Sequence, residues 1–151
     1  MISLALYQPE IPQNTGTLIR LSACLGITLH IIEPCGFIFD DNRLKRAGLD
    51  YFDLQTLKRY IHWDHFVESN KDCRIILLDT KSHTHYLEFK FQKNDILLLG
   101  KESTGVPDFL FHKLDYKVKI SMQHGCRSLN VAIAAAMVAG EGLRQLKYQC
   151  F

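Results

Sequence analysis

The sequence has little excess of either charge and none of the long apolar runs that mark several classes of protein. Its 18 Lys and Arg residues are nearly balanced by 16 Asp and Glu residues, and a net charge of +2 excludes a protein that holds nucleic acid by bulk charge alone. The longest apolar stretch, residues 131–140, is far shorter than the roughly 20 residues that cross a bilayer, and the first residues lack a basic signal-peptide region. With 47% hydrophobic and 23% charged residues, the composition also excludes disordered, collagen-like and coiled-coil chains. We expect a cytoplasmic protein that makes no contact with a membrane.

The cysteines and histidines lack the spacings of disulfide frameworks and metal sites. Five cysteines are scattered without a C-x-x-C pair, which favours a chain that folds in a reducing cytosol. His62 and His65 form one pair and His83 and His85 another, but neither pair has a Cys or a carboxylate at a recognised ligand spacing. We therefore expect solvated or hydrogen-bonded histidines and no metal.

Familiar nucleotide-binding and hydrolase signatures are missing as well. No G-x-G-x-x-G follows the first predicted strand, which argues against a dinucleotide site of the Rossmann type. The string GKEST at residues 100–104 resembles a P-loop, but Glu102 stands where Ser or Thr is required. No G-x-S-x-G motif is present, which excludes the usual hydrolase nucleophile.

Short apolar runs alternate with helical segments and predict one α/β domain. Two of the runs, IILLD and DILLLG, are continuously apolar, which is typical of parallel strands that are covered on both faces. The predicted strands are Ile2–Tyr7, Ile27–Ile32, Arg74–Asp79, Asp95–Gly100 and Val118–Ile120. The predicted helices are Asn14–Leu25, Asp41–Gly48, Trp63–Ser69 and Ser128–Leu146, while residues 80–94 fit either a loop or an edge strand.

Two of these helices carry specific expectations. In the first, Asn14 is the predicted N-cap, Leu18 faces the core, and Arg20 points about 200° away from Leu18. The last helix has a stripe through Leu129, Ile133, Ala136, Gly140 and Leu143 and is apolar all round from residue 131 to residue 140. Such a helix must be covered on more than one side, and in a small chain a partner subunit can provide the second cover.

Three polar, glycine-bearing segments lie at or beside predicted strand ends. They are PEIPQNTGTLIR at 9–20, LLLGKESTGVP at 97–107 and ISMQHGCRSLNVAIAAAMVAGEGLRQ at 120–145. Ligands of open α/β sheets bind at the carboxyl ends of the strands. The three segments therefore predict one composite pocket.

Together these segments resemble the three motifs of the SPOUT class of RNA methyltransferases, and in particular its small TrmL-like (YibK-like) branch. The resemblance covers nearly the whole chain, including IEPCGFIFDDNRLKRAGLDY at 32–51. It implies a parallel-sheet α/β fold with a deep C-terminal trefoil knot, and a homodimer. It also implies a single domain over residues 1–151 with no appended RNA-binding domain. The activity it implies is S-adenosylmethionine-dependent 2′-O-methylation of the wobble nucleotide of tRNA, a cytidine or a modified uridine, with S-adenosylhomocysteine as product.

The same resemblance implies roles for individual residues. The implied cofactor contacts are Leu78, Leu99, Gly100, Ile120, Met122, Ser128 and Leu129. Arg20 is the implied catalytic residue; because a guanidinium is a poor base, we expect it to fix a phosphate and stabilise the developing oxyanion. We expect Glu102 to order its loop through backbone amides. The implied RNA contacts are Asn14, Arg20, Arg43, Arg46 and Arg127, with Lys45 completing a basic turn.

Departures from the branch pattern leave the target nucleotide open. The branch usually continues past Ser-Leu-Asn with Leu-Ser-Asn-Ala, whereas this chain has Val131-Ala132-Ile133-Ala134. Gly140 replaces a tyrosine, and Lys101 stands where a proline is common. The alternatives are a SPOUT methyltransferase that acts on another tRNA position or on rRNA, and a non-catalytic RNA-binding relative.

Overall fold

The computed structural model describes residues 1–40, 42 and 56–146 of the chain. Their strands are Ser3–Tyr7 (β1), Leu29–Ile32 (β2), Leu57–Tyr60 (β3), Ile75–Leu78 (β4), Ile96–Leu99 (β5) and Tyr116–Val118 (β6). Their helices are Pro12–Leu25 (α1), Trp63–Ser69 (α2), Asp108–Lys113 (α3) and Val131–Gln145 (α4). The six strands form one sheet in the order β3-β2-β1-β5-β4-β6. Every pairing in it is parallel, which confirms the predicted fold class.

Helices cover both faces of the sheet, as the continuously apolar strands require. On one face, α1 and α4 bury Leu18 and Val138 against residues such as Leu97. On the other face, Phe66 of α2 and Leu110 of α3 pack in a second cluster. The central strands β1 and β5 therefore have no solvent-facing side, and their carboxyl ends open between the two layers.

Two short elements escape the sequence patterns. β3 was not predicted because it is an edge strand, in which Lys58 and Arg59 are exposed and only Tyr60 is buried. α3 has six residues and a single buried one, Leu110, so it has too few turns for a recognisable periodicity. The last strand also lies two residues earlier than predicted, and Ile120 lies in the loop that follows it.

The start of α1 corrects one sequence prediction. The helix begins at Pro12, and its N-cap is Ile11, whose side chain makes no capping hydrogen bond. Asn14 therefore lies inside the first turn rather than at the cap. The helix can start at Pro12 because proline lacks the N–H group that would otherwise need an acceptor at the first helical position. Leu18 is fully buried and Arg20 is exposed, which confirms the predicted orientation of the helix.

α4 begins three residues later than predicted, at Val131, because the Asn130 side chain accepts hydrogen bonds from the Ala132 and Ile133 amides and caps the helix. Ser128 and Leu129 therefore belong to the preceding loop. Of the predicted stripe only Leu143 is buried, while Leu129, Ile133, Ala136 and Gly140 are exposed. The packed face consists of Ala132, Ala135, Val138, Ala139, Gly142 and Leu143. The helix thus carries apolar side chains on both its covered and its uncovered face.

Some predictions lie outside the described part of the chain. The predicted helix Asp41–Gly48 falls there except for Asn42, and so do Arg43, Lys45 and Arg46. Residues 80–94 form turns with one isolated bridge, between His85 and Lys119. Among the described residues, no helix is both long and apolar enough to cross a bilayer. The knotted path of the C-terminal segment stays a prediction.

Candidate active site at the carboxyl edge of the sheet

The loops that follow β4, β5 and β6 enclose a cavity of about 400 Å³ at the carboxyl edge of the sheet, which we call the strand-end cavity. Its walls include all seven residues implied as cofactor contacts: Leu78, Leu99, Gly100, Ile120, Met122, Ser128 and Leu129. Arg127 lines it as well. The second and third polar segments therefore converge on one pocket, as the strand-end rule predicts, whereas no residue of the first segment, 9–20, lines it.

The loop after β5 depends on two glycines. Backbone bonds join Lys101 and Gly105 in both directions, at 3.0 and 2.9 Å, and close the loop into a tight turn. A Cβ added to Gly100 would lie 2.6 Å from the Gly105 carbonyl carbon and from its Cα, a contact that only backbone movement would relieve. Gly105 itself has φ +69°, in the left-handed region that disfavours side chains. The glycines are needed for the shape of the loop itself, before any ligand is considered.

Glu102 connects this loop to the start of α1. Its Oε2 accepts a hydrogen bond from the Glu10 amide at 2.8 Å, and its Oε1 accepts one from the Ile11 amide at 3.2 Å. Ser103 strengthens the connection, because its hydroxyl donates to Glu10 Oε1 at 2.7 Å. Glu102 therefore binds backbone amides, as expected, but they belong to residues 10 and 11 rather than to its own loop.

Asn14 joins the first and third segments to the same point. Its Nδ2 donates to Glu102 Oε1 at 3.4 Å, and its Oδ1 accepts from Asn130 Nδ2 at 2.9 Å. Asn130 in turn caps α4. One side chain from each of the three segments therefore takes part in a continuous chain of hydrogen bonds beside the cavity.

Cations without an ion-pair partner surround the cavity. Lys81, Lys101 and Arg127 line it, and none of them belongs to an ion pair within residues 1–40, 42 and 56–146. Asp79 also lines the cavity, and its Oδ1 accepts from the Lys81 amide at 2.8 Å. The rim is therefore suited to an anionic ligand such as a phosphodiester. Sequence reasoning gave no role to Lys81 or Lys101, although both follow a predicted strand end.

Arg20 lies on α1 outside this lining. Its side chain is exposed, and within the described part of the chain it makes neither an ion pair nor a hydrogen bond. It stands six residues after Asn14 on the same helix, so its position depends on how the first turn of α1 is held. The arrangement leaves its guanidinium available to a ligand.

His62, His85 and Cys35 have structural roles. His62 Nδ1 accepts from the His65 amide at 3.1 Å and caps α2, and His85 Nδ1 accepts from the Leu87 amide at 3.3 Å. Within residues 1–40, 42 and 56–146, no three metal-ligating side chains come together. Burial raises the pKa of the Cys35 thiol to about 11, with a further contribution from the charge of Glu33. Cys35 is therefore a protonated packing residue rather than a nucleophile.

Comparison with known proteins places the whole arrangement in a family. A protein from Beijerinckia indica, named tRNA (cytidine(34)-2′-O)-methyltransferase, is 49% identical over 147 residues, which is 95% of this chain and 91% of that protein. An Escherichia coli K12 protein of the same name is 41% identical over 150 residues, covering 98% and 96% of the two chains. A solved structure described as "Structural insights into the 2-OH methylation of C/U34 on tRNA" superposes with a TM-score of 0.91 at 39% identity, and covers 99% of this chain and 98% of the other. The model of the SpoU rRNA Methylase family matches residues 1–140, and the chain belongs to that family.

Proposed function

We propose that this chain transfers a methyl group from S-adenosylmethionine to the ribose 2′-oxygen of nucleotide 34 in tRNA. The observation that carries the proposal is that the sequence identity to named relatives and the lining of the strand-end cavity point to the same activity. Relatives that are 41–49% identical over nearly their full length bear the name of this activity, and all seven residues implied as cofactor contacts line one cavity. Family membership alone would leave rRNA as an equal candidate; the relatives favour tRNA.

The strand-end cavity fits the cofactor. About 400 Å³ is within the range of small-ligand pockets, and Leu78, Leu99 and Ile120 provide apolar walls for an adenine ring. When bound, the cofactor supplies a methyl group on a positively charged sulfur, which a ribose oxygen displaces to leave S-adenosylhomocysteine. Ser128 and the backbone of the loop after β5 offer polar groups that can orient it.

Arg20 holds the nucleophile in this proposal. A guanidinium stays protonated at any physiological pH, so it cannot remove the proton of the 2′-hydroxyl. It binds the neighbouring phosphate and stabilises the oxygen as its proton leaves to water. The exposed, unpaired state of Arg20 supports this role, because no other charge on the described part of the chain competes for it.

The cationic rim provides the RNA contacts in this proposal. Arg127, Lys81 and Lys101 lie at the cavity, where a phosphodiester adjoining the target ribose would pass. Phosphate contacts of this kind make affinity fall with salt concentration. The predicted contacts at Arg43 and Arg46 stay predictions. So does direct RNA contact by Asn14, whose amide is already bonded at both ends.

A homodimer accounts for the uncovered face of α4. Ile133 is 56% exposed and Met137 39% exposed, although both lie on a well-formed helix; no element within residues 1–40, 42 and 56–146 covers them. A second copy of the chain would bury this face. In light scattering we expect a dimer for the wild type and a monomer for Ile133→Asp; a monomeric wild type at micromolar concentration would contradict the assembly. The single domain over residues 1–151, the knot and the cytoplasmic location likewise stay predictions.

The function is tested by incubating the purified chain with methyl-labelled S-adenosylmethionine and either tRNA or rRNA from cells that lack the activity. Nucleoside mass spectrometry, followed by mapping of the tRNA fragments, then locates the label. We expect a 2′-O-methylated nucleotide at position 34 of tRNA and none in rRNA. Label at another tRNA position or in rRNA would refute the proposed target. Tight cofactor binding without any product would support the non-catalytic alternative.

A further inference from the structure

We propose that Asn130, Asn14 and Glu102 form an amide relay that positions α1, and with it Arg20, relative to the loops of the strand-end cavity. The three side chains come from the three sequence segments, and they are joined at 2.9 Å and 3.4 Å. They act as positioning residues for the methyl transfer, so this inference rests on the proposed function.

The orientation of each amide in the relay is fixed by its neighbour. Asn130 Oδ1 accepts from the Ala132 amide at 2.9 Å and from the Ile133 amide at 3.4 Å. Its Nδ2 must therefore point away from the helix, where it meets Asn14 Oδ1. That contact turns Asn14 Nδ2 towards a carboxylate, which is an acceptor only. Neither the Asn14 amide nor the Asn130 amide can flip without losing at least two hydrogen bonds.

Glu102 supplies what the first turn of α1 lacks. The N-cap Ile11 provides no side-chain acceptor, and the first turn contains no acidic residue. Glu102 reaches across 91 positions of sequence to accept the Ile11 amide, as an acidic residue in the helix's own first turn commonly does. Its negative charge also opposes the positive end of the helix dipole. The N-terminus of α1 is therefore held by the cavity loop rather than by its own sequence.

A shift of this first turn would be carried to Arg20. Asn14 in the first turn and Arg20 are six positions apart, which is about 9 Å along a continuous helix. Leu18 and Ser22 on the same helix are buried, so α1 moves as a unit against a packed face. Glu102 and its neighbour Lys101 line the cavity, so any ordering of their loop by a ligand reaches α1 through the relay. A misplacement of about 1 Å costs up to roughly a hundredfold in rate.

Two variants separate this role from a structural one. Asn130→Ser keeps a capping oxygen for α4 but removes the donor to Asn14, and Asn14→Ala removes the middle of the relay. Each should lower the single-turnover methylation rate by about tenfold to a hundredfold while the dissociation constant for S-adenosylhomocysteine changes less than about threefold. Gln13→Ala is the matched control, since it deletes an exposed amide one residue away and should retain the wild-type rate.

The double variant Asn14→Ala/Asn130→Ser should be no slower than the slower single variant, because both break one chain of contacts. If the rate reductions of the two single variants multiply in the double variant, the two residues act independently and the relay is wrong. The rate–pH profile of Glu102→Gln provides a further check. We expect the wild-type shape at a lower rate, whereas a lost titration step would make Glu102 a proton acceptor and contradict a positioning role.

Amide hydrogen exchange tests the relay without any RNA. On addition of S-adenosylhomocysteine, exchange in residues 11–20 should slow in the wild type and in Gln13→Ala. It should slow less in Asn14→Ala, which retains the bonds of Glu102 to the Glu10 and Ile11 amides, and not at all in Glu102→Ala. Absence of the effect in the wild type would overturn the relay whatever the methylation assay gives. If the effect is present but no methyl group reaches position 34, the proposed function fails and the structural coupling stands.

Discussion

The two edges of the sheet each contain a carboxylate that accepts three hydrogen bonds, and the two differ in what they hold together. At the amino edge, Asp95 is 1% exposed and accepts from Arg74 Nε at 2.8 Å, from Arg74 Nη2 at 2.7 Å and from the Gln92 amide at 2.7 Å. At the carboxyl edge, Glu102 is half-buried and accepts from two amides and from Asn14. Asp95 is neutralised by a cation, whereas no cationic side chain in the described part of the chain bonds to Glu102. The first arrangement stabilises the fold, and the second arranges a site.

The comparison extends to the cations beside these two carboxylates. The Arg74 guanidinium is paired with Asp95 and lies over the rings of Phe89 and Tyr116, at 5.4 and 4.8 Å from their centroids. The hydrogen bond with Asp95 raises the pKa of Arg74 against the opposing effect of burial. At the carboxyl edge, Lys81, Lys101 and Arg127 have no such partners among the residues that the structure describes. A cation that is paired and covered, like Arg74, contributes stability, whereas the unpaired cations at the strand-end cavity remain available to a ligand.

The largest expected effect comes from breaking the buried pair. Asp95→Ala leaves the Arg74 guanidinium and the Gln92 amide without their acceptor, and we expect the free energy of unfolding to fall by about 3 kcal/mol. Urea unfolding measures it. Lys71→Ala, which breaks the exposed pair with Glu68, is the control and should cost less than about 1 kcal/mol. Equal losses in the two variants would remove the distinction between buried and exposed charges.

At the other edge, removing Arg20 should reduce activity without affecting the fold. We expect Arg20→Ala to lower the methylation rate by about a hundredfold, or about 2.7 kcal/mol of transition-state stabilisation. The unfolding free energy should stay within about 0.5 kcal/mol of the wild type, because the side chain is exposed and has no ion-pair partner in the described part of the chain. Single-turnover kinetics and urea unfolding measure the two quantities. An unimpaired rate would remove Arg20 from the mechanism.

The loop after β5 should respond chiefly in cofactor affinity. In Gly100→Ala, the added methyl group meets the Gly105 backbone at 2.6 Å, so the loop must move and we expect the cofactor to bind about tenfold more weakly. Isothermal titration with S-adenosylhomocysteine measures this. Gly16→Ala, where no atom lies within 4 Å of the added carbon, is the control for stability and should be neutral or stabilising by up to about 1 kcal/mol. Undiminished affinity in Gly100→Ala would show that the loop adapts freely.

The smallest expected effect is a pH dependence of the unfolding free energy, caused by His30 near the amino edge of the sheet. Burial, and then the charge of Lys58, lower the pKa of His30 from 6.5 to about 4. The unfolded chain therefore binds a proton at a higher pH than the folded chain, and stability present above pH 6.5 is lost as the pH falls towards 4. By pH 6 the loss should be about 1 kcal/mol. His30→Gln should reduce the change of the unfolding free energy between pH 7 and pH 5, measured by urea unfolding. If the change is the same as in the wild type, another group causes it.

Much of the fold was predictable because it depends on local pattern. The runs IILL and ILLL identified β4 and β5 to within one residue at each end, since only doubly covered strands are continuously apolar. β3 was missed because an edge strand with Lys58 and Arg59 on the surface does not carry that pattern. Strand ends also located the cavity, because parallel strands bring their carboxyl ends to one edge.

The hydrogen bonds that connect Asn14, Glu102 and Asn130 could not be predicted from local sequence patterns. Nothing near residue 14 indicates that its amide lies between residues that are 88 and 116 positions away. The N-cap rule placed Asn14 at the start of α1 because it considers only the adjacent backbone, whereas Glu102 takes part of that role from another loop. Likewise, the stripe predicted for α4 did not indicate which apolar face is covered, since both faces are apolar.

The long sequence separations within the relay affect how the chain folds. Contacts over such distances form slowly, because the loop-closure entropy must be overcome before any of them contributes. The last of them requires Asn130, which directly precedes the final helix. A partly folded chain can therefore bury β1 and β5 while it still lacks an ordered cavity rim. Cofactor added during refolding should bind only after the last kinetic phase, so the site would report on completion of the native state.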